Sequence, residues 1–374
     1  MQMIDRFKPL AAASLFSIAA VSAGAARAGD GVKPEAAVSP MQRVAAARDK
    51  AKAENPDGGD RVFGGAQAGK DAYPFQVALL TTERLDESPA SQSDAQFCGG
   101  SLIAPDWVLT AAHCLSDNGE AIAPESVTVL VGATHLQEGK RFEVSEVIVN
   151  EGYSTYTLDN DIGLLRLAAP AEAPVIRIAG ARAPDSGRTT VTGWGMMQDG
   201  TFPNDLMVAD LDLEPNSACN KGIKGIYATD LKAVLANMAG RMRYSEKGIE
   251  AGAGAIVADM GDPLTDNMIC AGTANGARDA CNGDSGGPLF MTGKDGPEQI
   301  GIVSWGEGPS DGTAACGHKD AYGIYTRLGN YASWIEAKMK TPAPAVEPEP
   351  APAAEPVPDQ PVQPGLGTAQ KPKA

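Results

Sequence analysis

Aromatic residues make up only 5% of this 374-residue chain, and histidine occupies three positions. Lys and Arg (31) are outnumbered by Asp and Glu (47), giving a net charge of -16. That balance excludes nucleic acid as a partner, because phosphate binding needs clustered Lys and Arg. An acidic field favours basic substrates, and it also serves plain solubility. No Cys lies in a Cys-x-x-Cys pair and no Cys/His cluster has zinc-like spacing, so no metal and no cofactor are expected. Apart from one stretch near the start, no apolar run approaches the roughly 20 residues of a transmembrane helix, and no transmembrane segment is expected.

What the chain does have is glycine (43), proline (27) and an even number of cysteines, six. Arg6 and Lys8, an apolar run from Leu10 to Val21, and Ala26-Arg27-Ala28 have the layout of a cleaved secretory signal peptide over 1–28. Export leads to a secreted or periplasmic protein, in which six cysteines read as paired disulfides. Residues 29–61 are polar and alanine-rich, helical around Met41–Ala53, and end in Asn-Pro-Asp-Gly-Gly-Asp-Arg, a protease-accessible composition. They read as a pro-segment or a plain linker. Residues 341–374 alternate Pro, Ala and Glu and form an extended, solvated tail.

Between these ends, short apolar runs alternate with turn residues: Phe75–Leu80, Ser101–Ile103, Trp107–Thr110, Val127–Val131, Phe142–Val149, Ile162–Leu167, Thr189–Thr192, Leu289–Met291, Ile300–Trp305 and Gly323–Thr326. This pattern predicts antiparallel barrels or sandwiches. Tyr331, Trp334, Ile335 and Met339 fall at helical spacing, so a terminal amphipathic helix is expected over Asn330–Lys340.

One stretch concentrates chemistry. Asp279-Ala-Cys-Asn-Gly-Asp-Ser-Gly-Gly-Pro-Leu289 places Ser285 in a glycine-rich loop ahead of a strand. Glycines let a ligand approach closely, and the Gly283 and Ser285 amides are candidates for an oxyanion hole. A serine hydroxyl is a weak nucleophile without a base. Of the three histidines, His113 ends an apolar strand among small neighbours and beside Cys114, whereas His135 and His318 lie in polar, glycine-containing stretches expected at the surface. The orienting acid is best sought at Asp161, which opens the apolar strand Asp161-Ile-Gly-Leu-Leu-Arg-Leu167, where a carboxylate is costly unless paired. Asp159, outside the strand, is its competitor.

These stretches together resemble the chymotrypsin-like (trypsin-family) serine proteases. Leu109-Thr-Ala-Ala-His-Cys114, Asp159-Asn-Asp-Ile-Gly-Leu-Leu165, Thr192-Gly-Trp-Gly195, Gly283-Asp-Ser-Gly-Gly-Pro-Leu289 and Val303-Ser-Trp-Gly306 fall in that family's order, and the likeness spans Val62–Lys340. The resemblance implies an all-β fold of two six-stranded antiparallel Greek-key β-barrels with a C-terminal α-helix. It implies that Ser285 is the nucleophile, His113 the general base and then acid, Asp161 the orienting carboxylate, and Gly283 and Ser285 the oxyanion donors. The worked triad mechanism of this family is inherited with the likeness.

The same resemblance places Asp279 at the base of the specificity pocket, with Ser304, Gly306 and Gly323 along the substrate, and so implies cleavage after Arg or Lys of protein or peptide substrates. Arg61-Val-Phe-Gly-Gly65 resembles an activation site: cutting after Arg61 frees the amino group of Val62 to pair with Asp284, and the enzyme's own implied specificity fits that bond. The implied disulfides are Cys98–Cys114, Cys219–Cys270 and Cys281–Cys316. Ala133 stands where the family's calcium loop carries a carboxylate, so no calcium requirement is expected. The resemblance further implies a monomer.

Two segments depart from the family. Residues 221–262 lengthen the Cys219–Cys270 loop with a helix-like stretch (Asp230–Arg243) followed by glycine-rich sequence, and Glu307–Asp320 is also enlarged. The first is expected on the cleft rim, where it restricts access, binds a partner, or is a tolerated insertion. The competing functional expectation is a latent or catalytically silent protein that binds a partner through these loops.

Overall fold

The computed structural model describes residues 39–54, 65–117, 119–180, 186–310 and 316–341. The expected signal peptide, the Arg61–Val62 bond and the Pro/Ala/Glu-rich tail lie outside the described residues.

Twelve principal strands form two closed barrels. The first uses β1 (Gln76–Thr81), β2 (Gln96–Ala104), β3 (Trp107–Thr110), β4 (Val127–Val131), β5 (Lys140–Val149) and β6 (Gly163–Leu167), closed in the order β1-β2-β3-β6-β5-β4. The second uses β7 (Gly187–Gly193), β8 (Met207–Glu214), β9 (Met268–Gly272), β10 (Pro288–Gly293), β11 (Gly296–Trp305) and β12 (Gly323–Arg327). Pairing runs β8-β7-β10-β11-β12-β9 and returns to β8, with every one of these pairings antiparallel. Closure removes the exposed sheet edges that an open sheet would present.

Strand β8 had a legible signal that a search for continuous apolar runs passes over. In Met-Val-Ala-Asp-Leu-Asp-Leu-Glu, Ala209, Leu211 and Leu213 face the core while Asp210 and Asp212 face out. That is the period-two alternation of a half-buried strand. The barrel interiors are filled by such residues: Val77, Leu79, Leu102, Leu109, Val129 and Leu165 in one, and Leu211, Ile269, Leu289, Ile300 and Tyr325 in the other.

Among the described residues, four longer helices decorate the barrels. Helix α1 (Pro40–Glu54) precedes the first strand, and its Ala-rich sequence with Pro at the first helical position suits a helix. Helix α4 (Ala332–Met339) docks Ile335 onto the first core, as its spacing predicts. The insertion is a helical hairpin, α2 (Asn216–Met242) and α3 (Glu246–Asp259). The glycine-rich stretch is helical: Gly248, Gly252 and Gly254 sit inside α3. Ser245 caps it by accepting from the Gly248 amide at 3.0 Å, Ala253 is fully buried, and Lys232 on α2 pairs with Glu250 on α3. Packing against α2 offsets the roughly 1 kcal/mol that each helical glycine costs relative to alanine.

Candidate active site

The barrels meet where β3 and β6 of the first face the Ser285 loop and β11 of the second. His113 follows β3 in a single helical turn, Ala112–Leu115, pinned by the Cys98–Cys114 disulfide. Asp161 lies two residues before β6 and is completely buried. One Asp161 oxygen accepts from the His113 backbone amide at 2.9 Å and the other lies 2.7 Å from His113 Nδ1. A third donor comes from the other barrel, Ser304 Oγ at 2.5 Å. Thr326 Oγ1 also donates to the Asp161 carbonyl, at 2.6 Å. A buried carboxylate thus has its lone pairs met by hydrogen bonds, the condition for keeping one in an interior. Asp159 is engaged elsewhere, accepting from Thr265 and Asn267. Neither other histidine joins the cluster: the Nδ1 atoms of His135 and His318 accept from Gln137 and Asp320 amides.

The Ser285 loop is tied to both barrels. Ser285 O accepts from Gly99 N on β2 at 2.7 Å, and Gly286 N donates to Val303 O on β11 at 2.8 Å. Gly283 (φ +100°) and Gly286 (φ +81°) take conformations that side chains resist. Among the described residues, neither the Gly283 nor the Ser285 amide donates to a protein acceptor. Both are therefore free for an oxyanion.

Asp279 is 9% exposed, and its carboxylate accepts from the amides of Ala280 (2.8 Å) and Gly317 (3.0 Å). Burial pushes its pKa up to about 7, against the pull of these amides and that of Gly323. Among the described residues no cation pairs with it. Gly323 explains itself: a Cβ there would lie 2.5 Å from Asp279 Oδ1, so only glycine leaves the acid its seat. Gly306 faces open space. Ser304, placed by sequence along the substrate, directs its hydroxyl to Asp161.

Asp284 lines the same cavity as Asp279, together with Val191, Met197, Met207 and Ala209. Its carboxylate accepts from Gly195 N (2.7 Å) and Cys281 N (2.9 Å). Burial raises it to about 6, while the Cys281 and Gly195 amides and the charge of Arg48 pull the other way. A Cβ on Gly195 would fall 2.4 Å from this carboxyl group, the physical reason for glycine in Thr192-Gly-Trp-Gly195.

The remaining expected disulfides, Cys219–Cys270 and Cys281–Cys316, are closed. Helix α2 leans on the loop beside Asp279: Tyr227 Oη donates to Glu307 at 2.8 Å, and Ser310 N donates to Asp230. Two side chains near the site escaped sequence reasoning, Arg48 on α1 and Gln96 at the start of β2. The spacing Met41, Val44, Arg48 places the arginine on the apolar face of its helix, a signal visible in the sequence.

Paired six-stranded barrels, with an acid–histidine couple on one and a glycine-rich serine loop on the other, define the chymotrypsin-like class of serine proteases. The Trypsin family model matches residues 62–335. The chain is 31% identical to the trypsin Blo t 3 of Blomia tropicalis over 74% of its length and 85% of that protein's. It is 31% identical to human (Homo sapiens) kallikrein-7, over 75% and 88% respectively. It is 28% identical to trypsin-3 of Salmo salar, over 76% and 95%. This chain belongs to the trypsin family of serine proteases.

Proposed function

We propose that the protein is an exported endopeptidase, made as a zymogen, that cuts peptide bonds after Arg or Lys. The observation that carries the specificity is Asp279, a buried carboxylate that accepts from backbone amides and has no cation beside it among the described residues, its pKa raised by burial. A substrate guanidinium or ammonium supplies a countercharge, and the open space beside Gly306 leaves room for a long side chain to reach the acid.

The Asp161–His113 couple supports the following chemistry. Asp161 fixes His113 with Nδ1–H toward the acid, leaving Nε2 to take the Ser285 proton. The alkoxide attacks the substrate carbonyl, and the oxygen that gains charge is received by the Gly283 and Ser285 amides, each such donor being worth about 10²–10³ in rate. His113 returns the proton to the leaving amine, giving an acyl-enzyme. Water activated by the same imidazole then hydrolyses it.

Activation rests on Asp284. Half-buried in a cavity that it shares with Asp279, Val191 and Met207, it is suited to pair with a new amino group at Val62 once the chain is cut after Arg61. That bond matches the proposed specificity, and the enzyme activates itself. The test is hydrolysis of matched Arg and Phe esters by the Val62-starting form. Preference for Arg is expected, preference for Phe overturns the role of Asp279, and hydrolysis of neither overturns the enzyme. Precursor carrying Ser285→Ala is expected to remain uncut when incubated alone.

A further inference from the structure

Helix α1 lies in the segment before the proposed cleavage point, yet it is seated like part of the domain. Val44 is 1% exposed and belongs to the core that holds Phe97, Cys98 and Cys114. At the rim Asp49 pairs with Arg84 (2.6 Å) and Lys52 with Asp94 (3.0 Å). Between them Arg48 is buried. Its Nε donates to Gln96 O at 2.9 Å, its Nη2 donates to Gln96 Oε1 and to Trp194 O, and its guanidinium stacks 4.3 Å from the centre of the Phe202 ring. Burial lowers its pKa to about 9, with the charges of Asp94 and Asp284 opposing that shift, so it stays charged at neutral pH. A buried guanidinium is costly unless its donors are met. Here the acceptors are carbonyl oxygens of the catalytic domain.

The contact to Gln96 has a direct consequence. By engaging Oε1, Arg48 decides which way the Gln96 amide faces and turns Nε2 toward the Ser285 loop. Nε2 donates to Gly283 O at 2.9 Å and to Cys98 O at 3.1 Å. The Gly283 carbonyl belongs to the peptide between Gly283 and Asp284. That peptide joins the two whose N–H groups, of Gly283 and Ser285, form the proposed oxyanion hole. Holding it from behind limits the rotation of both.

We infer that α1 stays bound after cleavage at Arg61 as a non-covalent light chain, and that Arg48, acting through Gln96, is a positioning residue for the oxyanion loop. The inference rests on the catalytic reading above. No disulfide can retain the helix, because all six cysteines pair within Cys98–Cys316. Retention falls to the buried face, and departure would take from Gln96 O, Gln96 Oε1 and Trp194 O the donor that Arg48 gives them.

The test uses the full precursor, processed at Arg61, passed through gel filtration at high salt and weighed by mass spectrometry. The α1-containing fragment is expected to co-elute with the body. Two variants separate the links. Arg48→Met removes the donor, while Gln96→Glu keeps an acceptor for Arg48 and loses the N–H to Gly283 O. Both are expected to lower kcat on an Arg-based amide roughly tenfold per titrated active site, below the 10²–10³ for losing a donor outright, with KM unchanged. Affinity for a peptide aldehyde, whose adduct oxygen occupies the hole, falls in parallel, and Gln96→Glu retains the fragment. A merely structural role would reduce the number of active sites and leave kcat per site intact, which overturns the inference, as does a fully active body that has shed its fragment. A processed wild type silent on the amide overturns the catalytic reading and this inference with it; an active wild type alongside two unaltered variants overturns this inference alone.

Discussion

Replacing Asp279 with asparagine should stabilise the protein and cripple it at once. The folded state raises this carboxyl from 3.8 to about 7 by burial. Between those values the unfolded chain has released its proton while the folded chain keeps it, so the unfolded state binds fewer protons and stability falls as pH rises. Each pKa unit corresponds to about 1.4 kcal/mol, so the burden reaches about 4 kcal/mol at pH 7 and above, and vanishes below about pH 4. Asn fills the same volume, can still accept from the Ala280 or Gly317 amide, and carries no charge. In a Ser285→Ala background that prevents self-digestion, urea titrations of Asp279→Asn against its parent should show a gain that grows from pH 4 to pH 7 and then levels off. In the active background kcat/KM for an Arg ester should drop by about 10²–10⁴, since removing one partner of a buried ion pair costs about 3–5 kcal/mol. In the wild type the Arg-to-Phe ratio of kcat/KM should fall as pH drops through about 7, the ratio cancelling protonation of groups that serve both substrates. A stability gain that ignores pH, or an Arg preference that survives the substitution, would refute the reasoning.

Ser304→Ala deletes one of three hydrogen bonds to the Asp161 carboxylate, from a side chain whose exposure is only 7%. Hydrogen bonds to a charged group are worth about 1.5–3 kcal/mol, so kcat should fall by about 10–100-fold, with a smaller change in KM, in steady-state assays on an Arg amide. Gly286→Ala meets a harder obstacle. Its φ is +81°, and a Cβ would lie 2.1 Å from Thr110 Oγ1 and 2.5 Å from Gly99 O. The Ser285 loop must move away from β2 and β3 of the first barrel to admit it, so activity should disappear and the melting temperature should drop, as followed by circular dichroism.

The sequence carried the catalytic vocabulary because each word of it is local. Glycines at 283 and 286 mark a loop with positive φ, and the run after Asp161 marks a strand that an acid enters only with partners. The His113 turn carries its own cysteine brace. Strand β8 was equally legible in its alternation of apolar and acidic residues, and the Met41–Val44–Arg48 face of α1 was visible too. The glycines of α3, by contrast, argue locally against a helix, and only the surface of α2 reverses that preference.

By itself, then, the sequence determined a body of short strands, and through its resemblance to the family it implied two barrels, three disulfides and the candidate cast of His113, Asp161, Ser285, Asp279 and Asp284. Only the tertiary structure decided that Asp161 takes a hydroxyl from the opposite barrel, that Asp279 has amides and, among the described residues, no cation around it, and that Arg48 reaches Gly283 through Gln96. These facts depend on which side chains meet across 143, 38 and 187 positions of chain. Local propensity says nothing at such separations. Barrel closure and the exclusion of water from the junction bring those groups together, and burial there sets their charge.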